Sequence, residues 1–186
     1  MDPSRSTLPV VIRRGTPPDA AALAAFATRT FDETFGPDNH PDDMAAFLSS
    51  TYGVRQQSEE LANPDIITLL AESDEGLAGY AQVRRGVPPA CVTGQASMEL
   101  WRFYVDRPWQ GRGLARRLMA AAHAAAQELG GRTLWLGVWE RNGRARAFYE
   151  KCGFRAVGIH SFWVGSDEQT DVIMIAEIAP RDAHGG

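Results

Sequence analysis

Apolar positions in the first third of the chain change from a strand-like to a helix-like spacing. Residues 10–14 form a short apolar-to-basic run that predicts a strand. A helix is predicted from Thr16-Pro17-Pro18-Asp19 to about Phe35, because Gly36-Pro37 prevents its continuation. Its 3.6-residue spacing is carried by Leu23, Phe26, Ala27 and Phe31. A second helix is predicted from residue 41, and a weaker one over residues 53–63.

The middle and the end of the chain favour strands separated by two further helices. Residues 66–71 and 77–84 flank a turn-rich segment and predict an antiparallel hairpin, while residues 98–105 and 133–139 predict two more strands. One helical stripe comprises Leu114, Leu118, Ala122, Ala125 and Leu129, and a second comprises Ala145, Phe148, Tyr149 and Cys152. The closing strands are predicted at about 155–164 and 170–178, on either side of a turn at Gly165-Ser166-Asp167.

This order of elements predicts an α/β fold with a mixed sheet of about seven strands. Strands 98–105 and 133–139 are joined by a helix, which favours parallel pairing there and antiparallel pairing toward both ends. We expect one domain over residues 10–179, with flexible tails at 1–9 and 180–186.

Composition narrows the class of protein. The 186 residues are 44% hydrophobic and carry a formal net charge of −4, which disfavours general nucleic-acid binding. Cys91 and Cys152 are the only cysteines, and no apolar run approaches the roughly 20 residues of a membrane span. We therefore expect a soluble cytoplasmic protein with no membrane or nucleic-acid partner, no disulfide framework and no metal.

A glycine-rich turn between the strand ending at Val105 and the following helix has the character of an anion site. Amides of the first helical turn point outward, and Gly111, Gly113 and Ala115 let a phosphate approach the backbone. Arg112, Arg116 and Arg117 add positive charge. The segment lacks the Lys-Ser/Thr end of a P-loop and the last glycine of a dinucleotide fingerprint. An ordinary turn with a solvated basic face is the alternative.

Two motifs carry a resemblance to a known superfamily. Gln110-x-x-Gly113-x-Ala115 resembles the acetyl-CoA pyrophosphate loop of the Gcn5-related N-acetyltransferases (GNAT), and Asn142-x-x-Ala145-x-x-Phe148-Tyr149 with Gly153-Phe154 resembles their second CoA motif. The resemblance implies acetyl-CoA as co-substrate, helices on both faces of the sheet and a splay between the fourth and fifth strands. It also implies a possible homodimer. The implied cofactor-binding residues are Phe103, Tyr104, Val105, Gln110, Gly111, Arg112, Gly113, Leu114, Ala115, Arg116, Asn142 and Tyr149.

The same resemblance implies roles for individual residues. A β-bulge near Phe103 and Tyr104 would expose backbone groups to pantetheine. Tyr149, near the start of its helix, matches the tyrosine that protonates the departing thiolate, although a core tyrosine is the alternative. Asn142 would bond pantetheine, cap the helix, or do both.

Glu99 is the candidate proton acceptor for the incoming amine. An amine of pKa near 10.4 is neutral in only about one molecule in 2,500 at pH 7, so a base helps. Strand alternation puts residues 99, 101, 103 and 105 on one face. Members of the superfamily place a glutamate there, often acting through water, whereas a salt bridge with an arginine is the structural alternative.

A narrower resemblance concerns the acceptor. Three segments resemble bacterial spermine/spermidine N-acetyltransferases of the PaiA type. They are Thr30-Phe31-x-x-Thr34-Phe35, residues 135–140, and His160-Ser161-Phe162 through Asp171. Five carboxylates lie within residues 32–43, which contain no lysine or arginine. The candidate substrate residues are Asp32, Glu33, Phe35 and Trp101. We expect direct attack by a polyamine on acetyl-CoA in a ternary complex. Another amine acceptor, such as a protein N-terminus, an amino acid or an antibiotic, and a CoA-binding module without turnover are the alternatives.

Overall fold

Seven strands form one sheet in the described part of the chain. The structure is a computed structural model that describes residues 10–164 and 167–179. The strands are β1 (Val11–Arg14), β2 (Ile66–Ser73), β3 (Gly76–Arg84), β4 (Ser97–Val105), β5 (Thr133–Trp139), β6 (Arg155–Val164) and β7 (Asp167–Glu177), in the spatial order β1-β2-β3-β4-β5-β7-β6. The expected tails, and Gly165-Ser166 of the predicted turn, lie outside the described residues.

Five α-helices accompany the sheet within these described ranges. They are α1 (Ala20–Phe35), α2 (Pro41–Thr51), α3 (Val54–Ala62), α4 (Leu114–Glu128) and α5 (Gly143–Lys151). Local contacts fix both ends of α1 where the sequence predicts them. The Asp19 carboxylate accepts the Thr16 amide at 2.8 Å, and the helix ends where Gly36-Pro37 begins. No helix among the described residues is both long and apolar enough to cross a membrane.

The sheet opens between β4 and β5. These two strands are parallel and pair over three residues, with Ser97, Met98 and Glu99 opposite residues 133–135. Beyond that point they diverge, and the neighbouring pairs β3–β4 and β5–β7 are antiparallel. The splay expected between the fourth and fifth strands is therefore present.

A β-bulge decides which side chains of β4 share a face. Val83 pairs with Leu100 and Gln82 with Arg102, so Trp101 is the extra residue. The bulge implied for this strand is therefore present, but it lies at Trp101, two residues before the expected position at Phe103 and Tyr104.

The extra residue shifts the alternation of side chains along β4. Glu99 pairs with Arg84, and beyond the bulge Phe103 pairs with Ala81. Because residues 81 and 84 of β3 point to opposite faces, Glu99 and Phe103 do so as well. Strict alternation, which placed Glu99 on the face of Phe103 and Val105, was therefore incorrect.

Helices cover both faces of the sheet. On one face, which we call the α4–α5 face, β-strand residues such as Leu100 and Leu136 pack against Leu118 and Tyr149. On the other, the α1–α3 face, Tyr80 and Leu70 pack against Phe26 and Phe31. A buried ion pair, Arg102 to Glu60 of α3 at 2.5 Å, closes the second face.

Candidate functional site

A cavity of about 950 Å³ passes through the sheet where β4 and β5 separate. Its lining includes Phe103, Phe148 and Tyr149 from the α4–α5 face. It also includes aromatic residues of the α1–α3 face, namely Phe31, Phe35, Phe47, Tyr52, Trp135 and Trp139. The gap in strand pairing thus connects the two faces of the sheet, and a ligand on either side reaches the same central space.

The glycine-rich turn lies at the α4–α5 mouth of this cavity. Gly111 and Gly113 have φ angles of +75° and +82°, and an added Cβ at either position would meet no atom within 4 Å. The Arg117 amide donates to the Gly113 carbonyl at 3.2 Å, so the amides just before it have no acceptor within the helix. Open space and outward amides together fit a phosphate group.

The turn brings part of the predicted cofactor set to the cavity. Gln110, Gly111 and Ala115 line it, and the Gln110 side-chain amide donates to the Val105 carbonyl at 2.9 Å, which ties the turn to β4. Arg112, Gly113, Leu114 and Arg116 are not in its lining. Leu114 is buried in the core and offers only its backbone, whereas Arg117 donates to the Val10 carbonyl.

Tyr149 lies on the cavity wall and is almost fully buried. It occupies the seventh position of the nine-residue helix α5, so the expectation that it lies near the helix start was wrong. Its ring centroid is 6.2 Å from that of Phe103, which itself stacks on Phe148. Burial, and to a lesser degree the Cys152 thiol, raises the pKa of the phenol, so Tyr149 stays a neutral hydrogen-bond donor at physiological pH.

Asn142 caps α5 and also lines the cavity. Its Oδ1 accepts the Ala145 amide at 3.1 Å, as a capping residue does. Its Nδ2 makes no hydrogen bond to another described residue, which leaves a donor for a ligand. Capping is therefore established, and contact with pantetheine remains a prediction.

Glu99 is engaged in an ion pair. Its Oε2 accepts from Arg84 Nε at 2.5 Å, and the glutamate side chain is 12% exposed. Arg84 in turn lies 3.7 Å from the Trp101 ring centroid, and Arg102 lies 3.8 Å from the same ring. In the folded protein Glu99 thus forms the salt bridge with an arginine that was the structural alternative to a catalytic base. Glu99 still lines the cavity, so its role as a base stays a hypothesis.

The candidate substrate residues divide into two groups. Glu33, Phe35 and Trp101 line the cavity, whereas Asp32 is exposed and lies outside its lining. Glu33 is paired with Arg29 at 3.2 Å and lies 3.7 Å from Arg107. Among the carboxylates of residues 32–43 whose side chains the structure describes, Glu33 alone therefore borders the cavity.

Asp171 is a cavity residue to which no sequence motif assigned a role. This residue of β7 pairs with Trp139 of β5, lines the cavity and is half-buried. Burial raises the pKa of its carboxyl group to about 6. A Cβ on Gly137 would lie 2.7 Å from Asp171 Oδ2, so the carboxylate occupies the space that this glycine leaves open. A glycine in the middle of a strand was the available signal.

Comparisons with known proteins agree with this architecture. The family model described as "Acetyltransferase (GNAT) family" matches residues 27–154. An uncharacterized N-acetyltransferase of Lactobacillus delbrueckii subsp. lactis is 33% identical over 156 residues, which cover 84% of this chain and 90% of the relative. One from Mycobacterium tuberculosis is 33% identical and covers 86% and 98%, respectively. The crystal structure of PaiA N-acetyltransferase from Thermoplasma acidophilum in complex with coenzyme A has a TM-score of 0.73 at 20% identity, covering 91% of this chain and 99% of that one.

Proposed function

Because the chain belongs to the Acetyltransferase (GNAT) family, we propose that it transfers the acetyl group of acetyl-CoA to a primary amine of a polyamine such as spermidine or spermine. The observation that carries the proposal is the cavity that crosses the sheet at the splay. One mouth has the features of a phosphate site, and the other is lined by aromatic rings and carboxylates. The two substrates therefore approach the reacting centre from opposite faces.

The α4–α5 mouth accommodates acetyl-CoA. Outward amides at the start of α4 and the nearby Arg112 and Arg116 stabilise the pyrophosphate. Beyond Glu99, the edge of β4 that faces β5 has no strand partner, so its backbone groups are open to pairing with pantetheine amides, apart from the Val105 carbonyl, which already accepts from the Gln110 side chain. The side chain of Asn142 adds a donor beside this path.

The chemistry requires placement and two proton movements. The amine nitrogen attacks the thioester carbonyl, the C–S bond then breaks, and the sulfur leaves as a thiolate. Tyr149 lies on the face where the sulfur departs. Its hydroxyl group either donates a hydrogen bond to that thiolate or transfers its proton to it. Its raised pKa makes full transfer costly and stabilisation by hydrogen bonding the larger contribution. The proton of the incoming ammonium must leave on the opposite face.

A polycationic acceptor suits the α1–α3 mouth. In the part of the chain that the structure describes, four carboxylates line the cavity, those of Glu33, Glu99, Asp106 and Asp171. Ammonium groups are also attracted to aromatic faces, and the rings of Phe35 and Trp139, with centroids 5.7 Å apart, stand at this mouth. A polyamine has several ammonium groups, so one can react while the others are held by carboxylates.

The first experiment tests the CoA site with a matched pair of glycine variants. Gly113 at the start of α4 and Gly130 just after its end have φ angles of +82° and +84°, and neither has an atom within 4 Å of an added Cβ. Valine at either position strains the backbone by a similar amount. Calorimetric titration should show much weaker CoA binding for Gly113→Val and unchanged binding for Gly130→Val. Equal affinities in the two variants would refute the site.

The second experiment tests the acceptor. Thiol release from acetyl-CoA is measured with spermidine, spermine, amino acids, peptides and an aminoglycoside side by side. We expect the highest kcat/KM with a polyamine. We also expect this kcat/KM to decline with added salt, because salt screens the attraction between the ammonium groups and the carboxylates. Turnover confined to another amine would reject the polyamine, and CoA binding without turnover of any amine would favour a regulatory CoA-binding module.

A further inference from the structure

The carboxylates of the cavity differ in whether an arginine neutralises their charge. Glu33, Glu99 and Asp106 each form an ion pair with an arginine, from Arg29 or Arg84. Asp171 makes no ion pair and no side-chain hydrogen bond with any residue that the structure describes. A half-buried carboxylate without a partner is costly, which indicates that a ligand supplies the missing cation.

Strand pairing places Asp171 on the acceptor side of the splay. On β7, Ile173 and Ile175 pack with Trp135, whereas Met174 packs among the α4–α5 core residues. Asp171 is two residues from Ile173 on the same strand, so both side chains point to the α1–α3 face. Its carboxylate lies over Gly137, in the middle of the strand that borders the gap. Tyr149 lies on the other face, so the two groups approach the central space from opposite sides.

We propose that Asp171 binds the reacting ammonium group of the acceptor and takes its proton before the amine attacks acetyl-CoA. This inference rests on the proposed function and assigns the acceptor-side base to Asp171 in place of Glu99. The N–H bond of the ammonium breaks, its electron pair stays on nitrogen for the attack, and the proton moves to the Asp171 carboxylate. Asp171 is half-buried and releases the proton to solvent after the transfer.

Geometry and environment favour Asp171 over Glu99 in this role. The short contact with Arg84 already occupies one carboxylate oxygen of Glu99, so that oxygen is not open to the ammonium group of the acceptor. Asp171 has no such partner among the described residues, and burial raises its pKa to about 6, so it is still mostly ionised at pH 7 yet binds a proton more tightly than an ordinary aspartate.

Titratable and charged groups near Asp171 are considered in the design of the test, because they could also change the pH profile. His160 of β6 pairs with Asp171 across the strands. On β5 the neighbours are Gly137 and Trp139, which do not titrate there. The other walls of the cavity bring Arg102 and Glu99 from β4, Glu33 from α1 and Arg144 from α5. Of these, His160 and Glu99 are replaced in separate variants, so that a contribution from either can be told apart from that of Asp171.

The decisive measurement is the pH profile of kcat/KM with spermidine for the wild type, Asp171→Asn, Glu99→Gln and His160→Gln. The wild type should lose activity as the pH falls through about 6, where Asp171 becomes protonated. Asp171→Asn should be at least about 100-fold slower at pH 7 and should approach the wild type near pH 10, where about a quarter of the amine is already neutral in solution, against about one molecule in 2,500 at pH 7. Glu99→Gln and His160→Gln should keep the acidic limb.

Several results would overturn the assignment. A deficit of Asp171→Asn that is the same at pH 7 and pH 10 would make the residue structural. An acidic limb that persists in Asp171→Asn but disappears in Glu99→Gln or His160→Gln would move the base to that residue. CoA affinity, measured by calorimetry, should be the same in Asp171→Asn and the wild type. A wild type that acetylates no amine would refute the proposed function, and calorimetric binding of spermidine, weakened by Asp171→Asn, would then still decide the ammonium site.

Discussion

Replacing Asp171 by asparagine should stabilise the folded protein at neutral pH while it removes activity. The carboxyl group has a pKa of about 6 in the folded state against 3.8 without the influence of the fold, and burial is the cause. A raised pKa means that the fold disfavours the ionised form. Asparagine has nearly the same shape and cannot ionise, so the variant avoids that cost.

The size of the effect follows from the two pKa values. A pKa difference of one between the folded and unfolded states corresponds to about 1.4 kcal/mol, so a rise from 3.8 to about 6 costs the folded state about 3 kcal/mol when the group is fully ionised. Below pH 3.8 the carboxyl is protonated in both states and the cost vanishes. The cost grows between pH 3.8 and about 6 and is fully present above that range.

Urea unfolding of the wild type and Asp171→Asn at two pH values isolates this contribution. The difference in free energy of unfolding should be about 3 kcal/mol in favour of the variant at pH 7 and less than about 1 kcal/mol at pH 4. Packing changes caused by asparagine are equal at both pH values and cancel. Glu99→Gln is the contrasting control, because it removes an ion-pair partner of Arg84 and should destabilise the protein at pH 7.

A difference between the two proteins that is the same at pH 4 and pH 7 would refute the reasoning. It would show that the ionised carboxylate is not disfavoured by the fold. If the stability of the variant relative to the wild type is lower at pH 7 than at pH 4, Asp171 has a stabilising cationic partner in the folded protein.

Three further predictions concern the proton donor, the buried ion pair and the acceptor mouth. Tyr149→Phe should lower kcat and leave CoA affinity nearly unchanged. The control is Tyr80→Phe, which replaces a buried tyrosine outside the cavity lining and should keep kcat. If Tyr149→Phe has the kcat of the wild type, Tyr149 is only a core residue. Glu60→Gln should reduce the free energy of unfolding by about 3–5 kcal/mol in urea titrations, because it leaves Arg102 buried without its anion; a loss below about 1 kcal/mol would contradict that account. Glu33→Gln should raise the KM for spermidine more than for a monoamine, because it removes a cavity carboxylate that can hold a distal ammonium group, which a monoamine lacks. The exposed Asp32→Asn should change neither KM, and equal effects of the two variants would count against Glu33 as a polyamine contact.

The local sequence determined the helices, most strand limits and the conformation of the glycine-rich turn. Helix α1 ends at Phe35 where Gly36-Pro37 predicts it, and Gly111 and Gly113 in the turn before α4 are left-handed. These features depend on residues within one or two turns of each other. Apolar spacing, capping residues and glycine conformations therefore express them without reference to the rest of the chain.

Tertiary structure decided which side chains meet in the cavity. The extra residue of β4 is Trp101, and its position follows from the register with β3, about twenty residues earlier in the chain. That register moved Glu99 to the other face and brought it to Arg84. Asp171 reaches the gap because β7 pairs with β5, more than thirty positions away, and because Gly137 leaves room. Pairing between distant strands is set by packing of the whole sheet, so no local pattern specifies it.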